Sequence, residues 1–363
     1  MTRKSTAKRY VFEPEYAVPP GRTLQETIDA LGMGQRDLAT RAGLSAKHIN
    51  QIIRGVATIS HETAIRLEQV TGVSARMWNN LEVNYREQLA KLEEKKRLEH
   101  DLAWLKKIPT GELIKRGKIE KQTDRVLMLK AVLGFFGVAD VEAWNKIWLS
   151  PTVAYRKSAV FQGKPEAMAT WLRLGELAAR AVPCAPFDKS RFRSVLHEIR
   201  AITLEKPEVS VPKMKGLCAD AGVAMVLVPE IRNAPVSGAT RWLTPEKAML
   251  QLSLRYKTND QFWFTFFHEA GHILCGGKKE VFIDLNHATG KGEMEADSFA
   301  ADHLIPPRSA SELNGLKSTW AIEAFAESIG IAPGIVVGRL QHEGMIGHDQ
   351  FNGLKMRYQW AQQ

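Results

Sequence analysis

The residues best equipped for chemistry are His268, Glu269 and His272, spaced H-E-x-x-H inside the aromatic stretch Gln261 to Gly277, QFWFTFFHEAGHILCGG. On a helix, residues four apart share a face, so both imidazoles can turn toward one ion. Glu269 follows the first histidine and can reach a water held beside that ion. Two histidines, a third protein ligand and one open position describe a hydrolytic Zn2+ centre. Two ordinary histidines on a helix would give the same five letters, so a third ligand has to be sought elsewhere.

Downstream, Glu293-Met-Glu-Ala-Asp-Ser-Phe-Ala-Ala-Asp-His-Leu-Ile reads as a helix stopped at Pro306. Glu293, Ala296, Asp297, Ala300 and Leu304 share one face of it. Two carboxylates on a face otherwise made of small or apolar residues are explained if Glu293 ligates the metal and Asp297 accepts the ring N–H of a ligating histidine. Glu295 and Asp302 fall off that face and read as solvated, with Glu295 kept as the alternative third ligand. His303 reads as a packed histidine, and Cys275 as a buried thiol.

Stepping outward, three short apolar runs lead into the histidine helix: Val223 to Val228, Ser237 to Leu243 and Lys247 to Tyr256. They predict a small sheet, with Ser237 to Thr240 as an edge along which an extended substrate could lie. Asn259 or Asp260 is the expected cap of the histidine helix. Beyond Pro307, Trp320 to Ile329 and Ile331 to His342 read as a small helical lid on this domain. His342 and His348 are the candidates for an oxyanion donor.

With both helices in view, residues 206 to 345 resemble the ImmA/IrrE family of zinc metallopeptidases, through FWFTFFHEAGHIL and EMEADSFAADHLIP. The resemblance implies zinc on His268, His272 and Glu293 and Glu269 as general base, a gluzincin-like metalloendopeptidase. It also implies cleavage of a repressor, or regulation of transcription from a chain that carries its own DNA-binding domain.

Such a domain is legible at the other end. Leu24, Ile28 and Leu31 fall at helical spacing, then Gln35 to Ala42 and Ala46 to Arg54 give two short helices stopped by Gly43 and Gly55. With Leu38, Ala39, Ile49 and Ile52 inward, and a fourth helix from His61, they make a helix-turn-helix. Ser45 is placed to cap the third helix. That helix turns Lys47, His48, Asn50, Gln51 and Arg54 outward, a set suited to base edges and phosphates in a major groove. Residues 21 to 85, GRTLQETIDALGMGQRDLATRAGLSAKHINQIIRGVATISHETAIRLEQVTGVSARMWNNLEVNY, resemble the Xre-type helix-turn-helix family, especially antitoxins of the HigA kind. The resemblance implies that Gln35 braces a phosphate while Ser45, Ala46, Lys47 and Gln51 face bases.

The charged run Asn84 to Lys107 reads as a solvated linker helix, with dimerisation through it as the alternative. Helical patterns continue in Val126 to Phe136, Val141 to Ile147 and Pro165 to Arg180, with Leu127, Leu129, Val132 and Leu133 as core. The patch Tyr155 to Ser158 reads as surface. Texture changes at Val209.

Across 363 residues, 44% are hydrophobic and 25% charged, ordinary for a soluble chain of two or three domains. No run of about 18 apolar residues is present, so no membrane span is expected. The basic start MTRKSTAKRY has no apolar core behind it, which argues against a secretory leader. Three unevenly spaced cysteines point to a reducing, cytoplasmic setting, and the net charge of +10 favours a polyanionic partner.

The expectation is therefore a multidomain, mainly α chain. It has an all-α helix-turn-helix domain (1–85), a helical middle (86–205) and a C-terminal α+β zincin-like domain with a small sheet (206–363). The expected function is a regulator that binds operator DNA as a homodimer and acts through zinc-dependent cleavage of itself or a partner. The alternative is a non-proteolytic repressor or antitoxin whose metallopeptidase fold binds a toxin partner or a signal.

Overall fold

The computed structural model describes residues 16–149, 163–276, 281–284 and 291–360. Two compact units divide the chain: Met1–Ala103 with Asp124–Val126, and Trp104–Thr123 with Leu127–Gln363. No single helix among the described residues is long and apolar enough to cross a membrane.

The first unit contains α1 (Pro20–Ala30), α2 (Gln35–Ala42), α3 (Ala46–Ile53), α4 (His61–Thr71) and α5 (Ala75–His100). Serine hydroxyls start three of them. Ser45 accepts the His48 N–H at 3.1 Å, Ser60 that of Thr63 at 3.1 Å and Ser74 that of Met77 at 3.3 Å, each satisfying one donor of a first turn. Leu24, Ile28, Leu38, Ile49, Ile52, Leu67 and Trp78 form its core. A Cβ on Gly21 would lie 2.1 Å from the carbonyl oxygen of Ile52, so only glycine allows α1 to approach α3 this closely. The expected linker helix begins earlier and ends earlier than its charge pattern suggested, because Ser74 caps it and Glu82 is drawn inward. Glu82 accepts the Ile59 N–H at 3.1 Å and an Arg86 N–H at 2.7 Å.

The second unit is built on α6 (Pro165–Ala181), α7 (Lys189–Ala201), α8 (Pro207–Asp220), β1 (Val223–Leu227), β2 (Gly238–Thr244), β3 (Lys247–Leu252), α9 (Asn259–Cys275), β4 (Val281–Asp284), α10 (Lys291–Leu304), α11 (Thr319–Ile329) and α12 (Pro333–His342). The change of texture at Val209 falls inside α8 rather than between elements. Leu127, expected in the core, is 46% exposed. Tyr155 to Ser158 lie outside the described residues.

The sheet has four strands in the order β1-β3-β2-β4. β1 runs parallel to β3, while β2 is antiparallel to both β3 and β4, with Thr240 between Leu250 and Phe282. The expected edge at Ser237 to Thr240 is therefore an inner strand. The unforeseen β4 pairs along that side and takes its backbone hydrogen bonds.

Alternation along the strands assigns the two faces. Ala248, Leu250 and Leu252 enter one core with Phe262, Trp263, Phe266, Phe267 and Ile273 of α9. Gln251, one step out of phase, donates to the carbonyl of Trp171 on α6 at 2.9 Å. In the same way Thr240 meets α9, and Arg241 meets Glu176 on α6. Full burial of each large side chain contributes about 1.5–3 kcal/mol, so the aromatic face of α9 fixes this helix against the sheet.

Its start differs from expectation. The N-cap is Thr258, which makes no side-chain cap bond. Asn259 Oδ1 instead accepts the Met356 N–H at 3.1 Å, tying the chain's end to the helix. The pair α11 and α12 adds Ile322, Phe325, Val336 and Leu340 to the core that holds α9.

Candidate metal centre and nucleic-acid interface

Helices α9 and α10 bring His268, His272 and Glu293 together, with ligand atoms all within 4.8 Å of one another. His268 Nε2 lies 3.0 Å from His272 Nε2 and 3.3 Å from Glu293 Oε2, and His272 Nε2 lies 3.6 Å from the same oxygen. On the far side of the ring, Asp297 Oδ1 stands 2.8 Å from His268 Nδ1. A proton held there leaves the Nε2 lone pair facing the cluster, as metal ligation requires. Burial works against the charge of Glu293. Its hydrogen bonds to the two histidines and their charge outweigh that, and hold its carboxyl at about 2. A carboxylate and two imidazole nitrogens converging on one buried point form a group that could hold a metal ion.

Neighbouring residues divide as their phase on the helix dictates. Glu295 and Asp302 are exposed. His303 stacks on Phe299 and contacts Phe267, and burial, with the nearby charges of His197 and Arg200, pushes it down to about 4. Cys275 is exposed, contrary to expectation, because it sits in the last turn of α9 beyond the core face.

Glu269 is fully buried on the sheet side of α9. The Thr240 hydroxyl makes a short hydrogen bond to its Oε2 and lies 3.2 Å from its carbonyl oxygen. Gly238 leaves room for it, since a Cβ there would lie 2.5 Å from Glu269 Oε1. Thr240 was missed as a site residue; its signal was the strand phase that aims it at α9.

A cleft of about 730 Å3 opens beside the cluster, lined by His268, Glu293 and Asp297 and walled by α12. Gln261, Phe264, Thr265 and His268 give it a stripe along α9 at helical spacing. His342 lines the cleft with the Phe264 ring beside it, 6.4 Å between centroids, and Phe264 in turn lies 6.3 Å from His268. His348 does not line it.

In the first unit, Ser45, Ala46, Lys47 and Arg54 are exposed, while Gln35, His48, Asn50 and Gln51 are half-buried. Ser45 is engaged as the cap of α3. Gln35 donates to Gln25 at 2.7 Å and accepts from Asn50 at 3.4 Å, so these amides link α1, α2 and α3. Arg66 donates to the Gly43 carbonyl at 3.0 Å and secures the turn between α2 and α3.

The helix-turn-helix family model matches residues 24–78. Over 63 residues the chain is 33% identical to the uncharacterized HTH-type transcriptional regulator YddM of Escherichia coli strain K12, a match covering 17% of this chain and 67% of that protein. The chain belongs to the helix-turn-helix family. Among solved structures, an addiction module antidote protein of the HigA family from Coxiella burnetii is 27% identical, with TM-score 0.22, covering 23% of this chain and 92% of the other. Pseudomonas aeruginosa antitoxin HigA, solved with the higBA promoter, is 31% identical with TM-score 0.22, covering 23% and 94%. In this helix-turn-helix protein the family match runs from α1 into α5, so His268, His272 and Glu293 lie outside it.

Proposed function

We propose that this protein is a DNA-binding transcriptional regulator whose second unit is a zinc-dependent peptidase acting on itself or on a partner regulator. The first half of this reading rests on the helix-turn-helix, with α3 presenting Lys47, Gln51 and Arg54 for phosphates and base edges. Operator DNA is its partner, bound as a homodimer so that two copies of α3 meet two half-sites.

The observation that carries the second half is the His268, His272 and Glu293 triangle. Nitrogen and oxygen donors that share one tetrahedral zinc stand ~3.3–3.6 Å apart. The three edges here are 3.0, 3.3 and 3.6 Å, with Asp297 orienting one imidazole. Zinc bound there would supply Lewis-acid polarisation of a peptide carbonyl and a water of lowered pKa. Glu269 would be the base for such a water and the acid for the leaving amine. Thr240 holds the Glu269 carboxylate in place, and Phe264 shapes the cleft wall next to His268.

The burial of Glu269 under Thr240, away from the cleft lining, favours a second reading. There the same fold binds a partner or a signal without turnover.

One experiment separates them. Purified protein is assayed for zinc, then incubated zinc-loaded with candidate partner proteins and operator DNA, and fragments are sought by mass spectrometry. Glu269→Gln should keep zinc and lose cleavage. Operator binding without a fragment under any condition would establish the non-proteolytic regulator.

A further inference from the structure

The cleft beside the metal cluster extends along α9. Its stripe along α9 runs from His268 back through Phe264 and Gln261 to Asp260. Asp260 is only 4% exposed. Its Oδ2 is ion-paired with Lys355 at 2.6 Å, while its Oδ1 has no hydrogen-bond partner among the described residues. A buried carboxylate oxygen left without a donor is costly, and a ligand that supplies one gains that deficit back. The Lys355 ammonium is itself held in place, donating to Gln341 Oε1 at 2.7 Å. Asp260 is therefore held in the cleft lining.

Carboxylates outnumber cations along the cleft. Besides Asp260 and the cluster's Glu293 and Asp297, the lining carries Asp302 and Glu343 against a single guanidinium, that of Arg339, which is paired with Glu343. This acidic channel sits in a chain of net charge +10. An acidic lining in a basic protein disfavours acidic ligands and draws cationic ones.

We propose that the cleft takes an extended peptide bearing a lysine or arginine, whose cationic head is received by Asp260 Oδ1. This inference rests on the reading of the metal cluster as a peptidase centre. Asp260 lies eight positions before His268, about 12 Å along a helix. An extended peptide advances about 3.3 Å per residue. The basic residue thus falls three to four positions from the bond at the cluster, and Asp260 acts as a specificity-determining residue.

The test uses the full chain, zinc-loaded, carrying Glu269→Gln to prevent turnover. Two pools of otherwise uncharged peptides are titrated by fluorescence anisotropy, one with a single lysine per chain and one with glutamine in its place. The lysine pool should bind at least about tenfold tighter, the scale of one charge-assisted hydrogen bond. Asp260→Asn, with melting temperature and zinc content checked, should bring the two pools to parity. Because Asp260→Asn could disturb the strap that ends in Lys355, Lys355→Met serves as a second variant. It releases Asp260 Oδ2 and should widen the lysine preference.

Equal binding of both pools by the parent, or a preference that survives Asp260→Asn or narrows in Lys355→Met, overturns the inference. Cleavage by the chain with Glu269 intact separates it from the peptidase reading. Cuts without basic preference would keep the peptidase and reject the Asp260 subsite. Lysine-selective binding without any cut would keep the subsite and reject the peptidase. With both upheld, the cuts should cluster three to four residues from the lysine.

Discussion

The two sites of this chain are constructed in opposite ways. The proposed DNA-facing surface is local, since most of its residues fall within nine consecutive positions, Ala46 to Arg54, with Ala46, Lys47 and Arg54 exposed and His48, Asn50 and Gln51 half-buried. The candidate metal cluster is assembled, since His268 and His272 come from one helix and Glu293 from another, meeting beside the cleft. A local site depends on the pose of one short helix. An assembled site depends on the register between two helices and on the sheet that seats them. The contrast teaches where each is vulnerable: the first at its close backbone approaches and caps, the second at the orientation of its ligands.

The largest test breaks the pose of α3. Gly21→Ala must push α1 away from the Ile52 and Ile53 backbone, and should cost about 2–4 kcal/mol of the first unit's stability. Operator binding, measured by gel shift, should fall with it, while zinc content stays at the parent level. Loss of both together would show that the two sites are not separately built.

The counterpart at the assembled site is Asp297→Asn. It keeps the shape but weakens the hold on the His268 tautomer, and should lower zinc affinity about 10- to 100-fold in competition with a chelator. Operator affinity should not move.

A smaller effect follows from His303, which the fold keeps neutral by burial down to about 4. Between its ordinary value of 6.5 and that point, the unfolded chain binds the proton and the folded chain does not. Stability of the second unit should therefore fall as pH drops through this window. Allowing for the ring's partial exposure, the loss is about 1–2 kcal/mol. Denaturant melts of His303→Gln should show a flatter pH dependence.

Ser45→Ala removes the cap of α3 and should cost about 1 kcal/mol, with a matching loss of DNA affinity. The slightest change is Lys47→Ala. It should weaken binding to all sequences alike and reduce the slope of log K against log salt by about one.

Legibility in the sequence followed the same division. The boundaries of α2 and α4, the inward residues of α3 and the Ser45 cap could be read because each is set within a few residues by glycine, serine and apolar spacing. The convergence of His268, His272 and Glu293 was also legible, because helical phase alone places the histidines together and the carboxylates on one face. The order of the sheet was not. Strand periodicity shows which residues share a face but says nothing about which edge pairs, so β2 was mistaken for an edge and β4 was not foreseen. The cap of α9 was misread for a similar reason, since Asn259 is claimed by the distant Met356. Cys275 showed that a thiol near a buried helix need not be buried with it.

By itself the sequence determined the helix-turn-helix, the exposure of Lys47 and Arg54, and the convergence of His268, His272 and Glu293 from two helices, because those depend on residue type and local periodicity. The tertiary structure alone decided that Thr240 would meet Glu269, that Lys355 would reach Asp260 in the lining of the cleft beside His268, and that Arg241 would turn to the opposite face. Each of those contacts joins residues far apart in the chain. Only strand pairing and the packing of α9 on the sheet could bring them within reach.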